Sequence, residues 1–373
     1  MMMVRQRAMF RRMASAAVVA ALLALAAAAP VAAQSVYGVV RVAPDSMIAA
    51  GALVALVDST GHEVVRTFTS VQGRYVLRAR APGAYHLRVL RIGYEPWVSP
   101  GFFLAAQQPR SYSPVVPGVA VTLPRITVTG TSRCGAPSDT TGFVATLWQQ
   151  VTTALRATAW AADHRLFRFT SIDYLQKFNA QGTPISSERN THFGFSAWPF
   201  QALNADSLVH GGFIQEARGG PIYYAPDAQV LFSEPFLATH CFAVRRGDGD
   251  HAGLIGLVFR PIDPDHPNDI RGVLWIDRAT LELRRLEFAF TNVAQEIQGA
   301  KADGEIDFEH LPNGAWAIRR WHLRAPVPYY NGAMQHPRLG GYDVRGGIVT
   351  AVYTARGEPI RVDSAADSTL PGR

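Results

Sequence analysis

The chain has 373 residues, 48% apolar and 17% charged, with a formal charge of +7. That is apolar enough to build packed cores, so it excludes a disordered polyelectrolyte, and the length fits two domains. Four arginines in the first 33 residues carry most of the excess charge; without them the chain stands at +3, which gives no argument for nucleic-acid binding.

Residues 1–33 contain no acidic side chain. Arg5, Arg7, Arg11 and Arg12 form a positive start, Ala14–Ala29 is an apolar run, Pro30 breaks it, and Val31-Ala32-Ala33 offers small residues before Gln34. This three-part pattern predicts a secretory signal peptide. The apolar run is shorter than the ~20 residues a bilayer span needs, so no transmembrane helix is expected in the mature chain. The expected destination is the periplasm or the outer-membrane surface.

From residue 35 to 130 the chain reads as short strands separated by turn residues, the pattern of an antiparallel β-sandwich. Strands are expected at Val36–Val42, Leu53–Val57, Glu63–Phe68, Tyr75–Ala79 and Tyr85–Leu90, with two more at Val121–Pro124 and Ile126–Thr129. Asp58-Ser59-Thr60-Gly61 and Pro82-Gly83 supply turn chemistry. Gln107–Gly118, rich in Pro and Ser, reads as a long loop or an edge crossing, and Gly130–Asp139 as an interdomain linker.

Residues 134–355 read as a second, larger β-domain that opens with a helix. Asp139 or Thr140 could cap it, and Phe143, Leu147, Val151, Leu155 and Ala159 recur at helical spacing, a core stripe. An antiparallel meander follows. Strands are expected at Leu166–Phe178, Ser187–Trp198, Ile222–Tyr224, Leu237–Arg245, Leu254–Arg260, Val273–Asp277, Glu282–Phe290, Gly304–His310, Ala315–Arg324 and Gly347–Tyr353. Asn204–Val209 fits a short second helix, Asn313-Gly314 a hairpin turn, and Asp277–Leu281 a tight turn. Residues 356–373 read as a polar tail. The fold class is therefore mainly β: a sandwich followed by a larger meander or half-barrel with one or two helices.

The chain's two cysteines are Cys134 and Cys241. In an oxidising compartment the simplest reading is one disulfide, with two free thiols as the alternative. A bridge closing so long a loop would be worth up to ~4–5 kcal/mol in the chain-entropy model. His240 directly precedes Cys241, but neighbouring strand residues face opposite ways, so one metal would not take both.

The catalytic fragments are incomplete. His62-Glu63-Val64-Val65-Arg66 has Arg where a zinc-protease motif needs its second His. Gly194-Phe195-Ser196-Ala197-Trp198 has Trp where a nucleophile elbow needs Gly. The loop Asp263–Asp269 and the group Asp248, Asp250, His251 lack EF-hand spacing. Asp303, Glu305, Asp307 and Glu309 alternate along one strand and so share a face. They read either as a cation or acid–base site, or as a solvated ladder paired with Arg320, His322 and Arg324 on the next strand. No cofactor or metal is expected. Tyr94 and Trp97 lie beyond a strand end and are the aromatics expected to meet a ligand.

The first domain resembles the carboxypeptidase regulatory-like domain, a transthyretin-like sandwich grouped with carbohydrate-binding-like folds. The resemblance rests on Gly38, Thr69-x-x-x-Gly73-x-Tyr75, Pro82-Gly83-x-Tyr85-x-Leu87 and Ile92-Gly93-Tyr94, with Ser70 where the family often has Asp. Ile126–Gly130 resembles the segment joining such domains to outer-membrane receptors. The residues that follow are too few for a plug and a large barrel, so a receptor is not expected. In the second domain, Leu257–Pro261, Ile270–Asp277 and Leu283–Phe288 resemble the middle of an outer-membrane lipoprotein carrier-like half-barrel, which implies an apolar groove for lipid. The leading functional expectation is a non-enzymatic envelope binding module for a glycan or an envelope protein. A lipid or lipoprotein carrier is the second expectation, and a hydrolase with a dispersed site the third.

Overall fold

The structure is a computed structural model. It describes residues 34–118, 147–155, 165–195 and 203–363, apart from 93, 219, 265–267, 294–296, 298–299, 313–315 and 331–336. The expected signal segment, the two strands expected in 121–129, the expected linker, Cys134, the expected Asn313-Gly314 turn and most of the expected tail lie outside the described residues.

The first domain comprises β1 (Gln34–Val39), β2 (Arg41–Val42), β3 (Met47–Ile48), β4 (Leu53–Asp58), β5 (Glu63–Phe68), β6 (Arg74–Ala79), β7 (Gly83–Leu90), β8 (Trp97–Val98), β9 (Phe102–Leu104), β10 (Arg110–Ser111) and β11 (Val115–Val116). A five-stranded sheet, β5-β4-β7-β8 with β9 also on β7, faces the small sheets β10-β1-β6 and β11-β2-β3. Val36, Val54, Leu56, Tyr75, Leu77, Leu87 and Leu104 fill the space between. The crossing expected at 107–118 adds two two-residue strands, β10 and β11, that run parallel to β1 and β2. A parallel neighbour needs a long connection, and this segment supplies one.

β4 is buried on both faces, as its unbroken run Leu53-Val54-Ala55-Leu56-Val57 would require. One face meets the sandwich core. On the other side, Phe68 and Ile92 pack against the core of the second domain. The sandwich is thus docked rather than tethered.

The second domain comprises α1 (147–155), β12 (Phe167–Asn179), β13 (Pro184–Gly194), α2 (Ala205–Gly211), β14 (Ile214–Ala217), β15 (Gly220–Tyr223), α3 (Ala228–Leu231), α4 (Glu234–Thr239), β16 (His240–Arg246), β17 (Leu254–Pro261), β18 (Ile270–Asp277), β19 (Leu283–Phe290), β20 (Asp303–His310), β21 (Trp316–Tyr329), β22 (Arg338–Thr354) and β23 (Pro359–Val362). Ten strands form one open antiparallel sheet in the order β13-β12-β22-β21-β20-β19-β18-β17-β16, with β23 on β22. The strands β16 to β22 are a true meander. The first hairpin, β12–β13, is added beyond its last strand, so the chain must cross from the β13 edge to the β16 edge. It does so with α2, the β14–β15 hairpin, α3 and α4. These pack with α1 on one apolar face: Leu147, Val151, Leu208, Leu231 and Phe236 meet Leu257, Phe259, Leu274, Leu286, Ile306 and Ile318.

Two expectations need correcting. Leu237–Thr239, read as the start of a strand, is the end of α4: the Ser233 hydroxyl accepts from the Phe236 N–H at 3.3 Å and Pro235 sits in the first turn, where its missing N–H costs nothing. The helical content also exceeds one or two helices, because α3 and α4 are too short to show a period. The short helix expected at 204–209 is present, capped by Asn204.

Several strand glycines sit opposite an aromatic partner. Gly256 faces Trp275, Gly272 faces Phe259, Gly304 faces Phe288 and Gly346 faces Tyr174. In each case the ring lies over the glycine, where a Cβ would overlap it. Gly304→Ala is therefore expected to destabilise the fold by about 1–3 kcal/mol in urea denaturation. Gly194→Ala, where a Cβ meets open space, should be near neutral.

Candidate functional site

The face of the large sheet opposite the helices carries the charged residues singled out from sequence. Register pairs Asp303 with Arg324, Glu305 with His322 and Asp307 with Arg320, so the two expected ladders face each other across β20 and β21. β19 adds a third column: Arg285 stands opposite Asp307, and Glu287 opposite Glu305.

Asp307 lies between two guanidinium groups. Arg285 Nε donates to its Oδ1 at 2.6 Å, and Arg320 Nε donates to its Oδ2. Arg285 also reaches Glu305 at 3.4 Å, and Arg324 donates through Nε to Asp303 at 2.9 Å. Glu309, the fourth rung, pairs with Arg361 of β23 at 2.9 Å. The expectation of a solvated ladder is corrected here: these carboxylates are half-buried, Asp307 keeping 13% of its side-chain exposure. Long arginines on both sides cover them.

The neighbouring column extends the lattice to Trp275, which is fully buried. Its ring is stacked by His251 at 4.0 Å on a centroid basis, and the Arg245 guanidinium carbon lies 4.5 Å from the ring centre. Glu287 accepts from Trp275 Nε1 at 2.8 Å and lies 2.8 Å from His251 Nε2. The sequence reading missed this group. Its signal was available: Arg285 and Glu287 alternate as the ladder does, and Gly256 opens the room that Trp275 fills.

Burial and the neighbouring Asp307 push the Glu305 carboxyl above its usual range. Burial alone would raise Glu287 too, but the bonds from Trp275 and His251 outweigh it and hold that carboxyl low. Burial lowers His322, with Arg324 and Arg320 acting in the same direction. Tyr174, whose ring lies over Gly346 beside this row, is pushed up to about 12 by burial. Chemically the lattice is self-neutralising: the named carboxylates each meet a cation or donor from the same sheet.

The other sequence candidates are placed as follows. His251 belongs to the Trp275 group. Asp269, from the acidic loop, is buried and lies 3.3 Å from His240, whose ring stacks on Phe236 at 3.8 Å. That pair locks the start of β16 to α4 and β18. Cys241 follows on β16, and no free cysteine stands among the described residues. Among the described residues no group of three or more His, Cys, Asp or Glu is arranged to hold a metal ion.

In the sandwich, Tyr94 and Trp97 are half-buried against its core. Arg91 lies over the Tyr94 ring at 4.5 Å, and the Tyr94 carbonyl accepts from Gln150 Nε2 of α1 at 3.5 Å. Trp97 pairs with Val89. Tyr94 therefore sits beside the contact with the second domain, and Trp97 lies on the sandwich-core side of β7. Nearby motif residues do structural work. Thr69 is buried, accepts from the Ala52 N–H at 2.9 Å and donates to the Ala49 carbonyl. Ser70 accepts from the backbone N–H groups of Gln72 and Arg74, both at 3.2 Å, so a hydroxyl closes the turn where the family often has a carboxylate. Gly73 takes φ +71°, and Tyr85 donates to the Ala81 carbonyl at 2.8 Å.

The carboxypeptidase regulatory-like domain model matches residues 35–116, in agreement with the strands and motif residues above. No curated protein matches the chain. Among solved structures, the major pilin subunit BcpA of Bacillus cereus aligns over 84% of this chain and 95% of its own length. The identity is 11% and the TM-score 0.20, a level that carries no argument about fold or function. No helix among the described residues is long and apolar enough to cross a membrane.

His322 gives the lattice a pH dependence. Its folded-state value is depressed, so it contributes stability that is present above the unfolded value near 6.5 and lost as pH falls through the lower folded value. Thermal melts are expected to show a falling midpoint between about pH 7 and pH 5 that flattens in His322→Gln. An unchanged slope in the variant would assign the dependence to another group.

Proposed function

We propose that the chain is a non-catalytic binding module of the cell envelope, with a carboxypeptidase regulatory-like sandwich presented on a large β-domain. The observation that carries this reading is the placement of two half-buried rings: Tyr94, in the loop after β7, lies under Arg91 with its carbonyl bonded to α1, and Trp97 opens β8 opposite Val89. Rings fixed in this way offer faces on which a sugar can stack. The large domain's charged face is internally paired and supports a scaffold role rather than chemistry. The expected ligand is a glycan of the envelope. Purified protein is expected to be retained on insoluble peptidoglycan or on a glycan array, and Trp97→Ala to reduce retention at least about tenfold. Absence of retention for the wild-type chain would remove the carbohydrate reading.

A lipid or lipoprotein carrier is the second reading. What favours it is the open antiparallel sheet with helices on its apolar face, although α1–α4 occupy that face and would have to move for an acyl chain to enter.

Export belongs to the same proposal, supported by the three-part N-terminal pattern and by a pair of cysteines. Protein recovered from a periplasmic extract is expected to begin at Gln34. It should be lighter than its reduced form by the two hydrogens that a Cys134–Cys241 bridge removes. A mass that includes residues 1–33, or that does not change on reduction, would count against export or against the bridge respectively.

A further inference from the structure

The large sheet ends, on one side, at β13. Among the described residues this strand pairs with β12 alone, so the backbone N–H and C=O groups along its outer edge have no strand beside them. It runs for 11 residues, Pro184–Gly194, about twice the usual strand length. All but the last of its residues are exposed, on both faces of the sheet, with Ile185 at 68% and Phe193 at 63%. The helices pack on β17 to β21, and their shared core includes no residue of β13.

An edge of this kind is a template for a further strand, because another extended backbone matches its row of donors and acceptors. Edges guarded against pairing carry an internal proline or a bulge. In β13 the proline is the first residue, and the irregular step falls at that same end, opposite Lys177 and Phe178 of β12. From Ser186 to Gly194 the strand keeps an unbroken register with β12.

The sequence of this stretch selects a second copy of itself. Two identical edges pair antiparallel about a two-fold axis. With the axis at Asn190, every residue from 186 to 194 finds a partner: Glu188 meets His192, Arg189 meets Thr191 and Ser187 meets Phe193, and the axis repeats each pair. With the axis at Glu188 or at Arg189, like charge would stand on like charge. An axis at Ser187 or at Thr191 shortens the pairing and parts Glu188 from His192. His192 is also oriented by its own sheet. Its Nε2 lies 3.3 Å from Asp173 of β12, and 62% of its side chain stays exposed to an incoming carboxylate.

We propose that two copies of the chain join β13 to β13 about an axis at Asn190, making one continuous sheet from two. The contact uses the same edge on both copies, so it closes at a dimer. The inference is independent of the sandwich and of any glycan.

The test combines sedimentation with cysteine cross-linking. It uses the full chain and the same chain begun at Gln34, so that association through the apolar N-terminal run can be told apart. The expected result is a concentration-dependent dimer of the Gln34 form. Glu188→Lys raises its dissociation constant at least about tenfold, since the axis makes the substitution count twice. An unchanged melting midpoint of this variant shows that its fold is kept. On mild oxidation Asn190→Cys gives a cross-linked dimer, because facing residues have Cα atoms about 4.5–5.5 Å apart. Glu188→Cys or His192→Cys alone gives at least about tenfold less, each cysteine standing about 13 Å along the strand from its own copy. An equal mixture of those two variants restores the cross-link. The wild-type chain controls for the native cysteines. A Gln34 form that stays monomeric to its solubility limit overturns the proposal, as does dimerisation of the full chain only. A dimer that ignores Glu188→Lys, or whose mixed variants cross-link no better than either alone, belongs to another surface and overturns it as well.

Discussion

Asp307 accepts from Arg285 on one side and Arg320 on the other, and that arrangement exists only while three strands keep one register. A slip by a single residue would turn the whole row toward the helices and expose Ile306 and Phe308. Two bulges maintain the register. Both occur where two arginines stand together between apolar residues, Leu283-Arg284-Arg285-Leu286 and Ile318-Arg319-Arg320-Trp321. In each pair the strand register steps over one arginine, Arg284 in the first and Arg319 in the second. Its neighbour takes the charged face, and the apolar residues on either side both stay on the core. Arg284, set aside in this way, pairs with Glu282 at 3.0 Å at the rim.

Exposed ion pairs contribute little, about 0–1 kcal/mol each. The lattice here is half-buried and shared between columns, so its main effect is on specificity: shifted registers would leave Asp307 or Glu287 against apolar neighbours with donors unmet. Glu287 shows the principle most clearly. It is the common acceptor for a buried indole on β18 and a stacked imidazole in the turn after β16, and these two bonds outweigh burial and hold the carboxyl low.

Much of this was readable from local pattern. The sandwich strands, the turn at Ser70–Gly73 and the facing charge ladders follow from alternation and turn chemistry over a few residues. What was not readable depends on distance in the chain. Nothing in residues 167–194 says that their hairpin joins beyond β22, and the crossing helices α3 and α4 are shorter than the period that would reveal them. The strand expected at Ala315–Arg324 is followed by Pro326 and Pro328, which cannot donate to a ladder. The strand nonetheless continues to Tyr329 and pairs with β22 throughout, with a bulge between Val327 and Pro328 that relieves the lost donor. The Trp275 group needed three strands and a loop to converge, which no single window contains.

The same geometry limits where function can reside. One face of the large sheet is filled by its own helices, and the other is closed by its own charges. On the outer side of the sandwich, Phe68 and Ile92 are taken up by the core of the second domain. What the fold leaves available are loops held by rigid neighbours and strand ends that run past the core. Tyr94 occupies the first kind of position, its ring under Arg91 and its carbonyl bonded to α1.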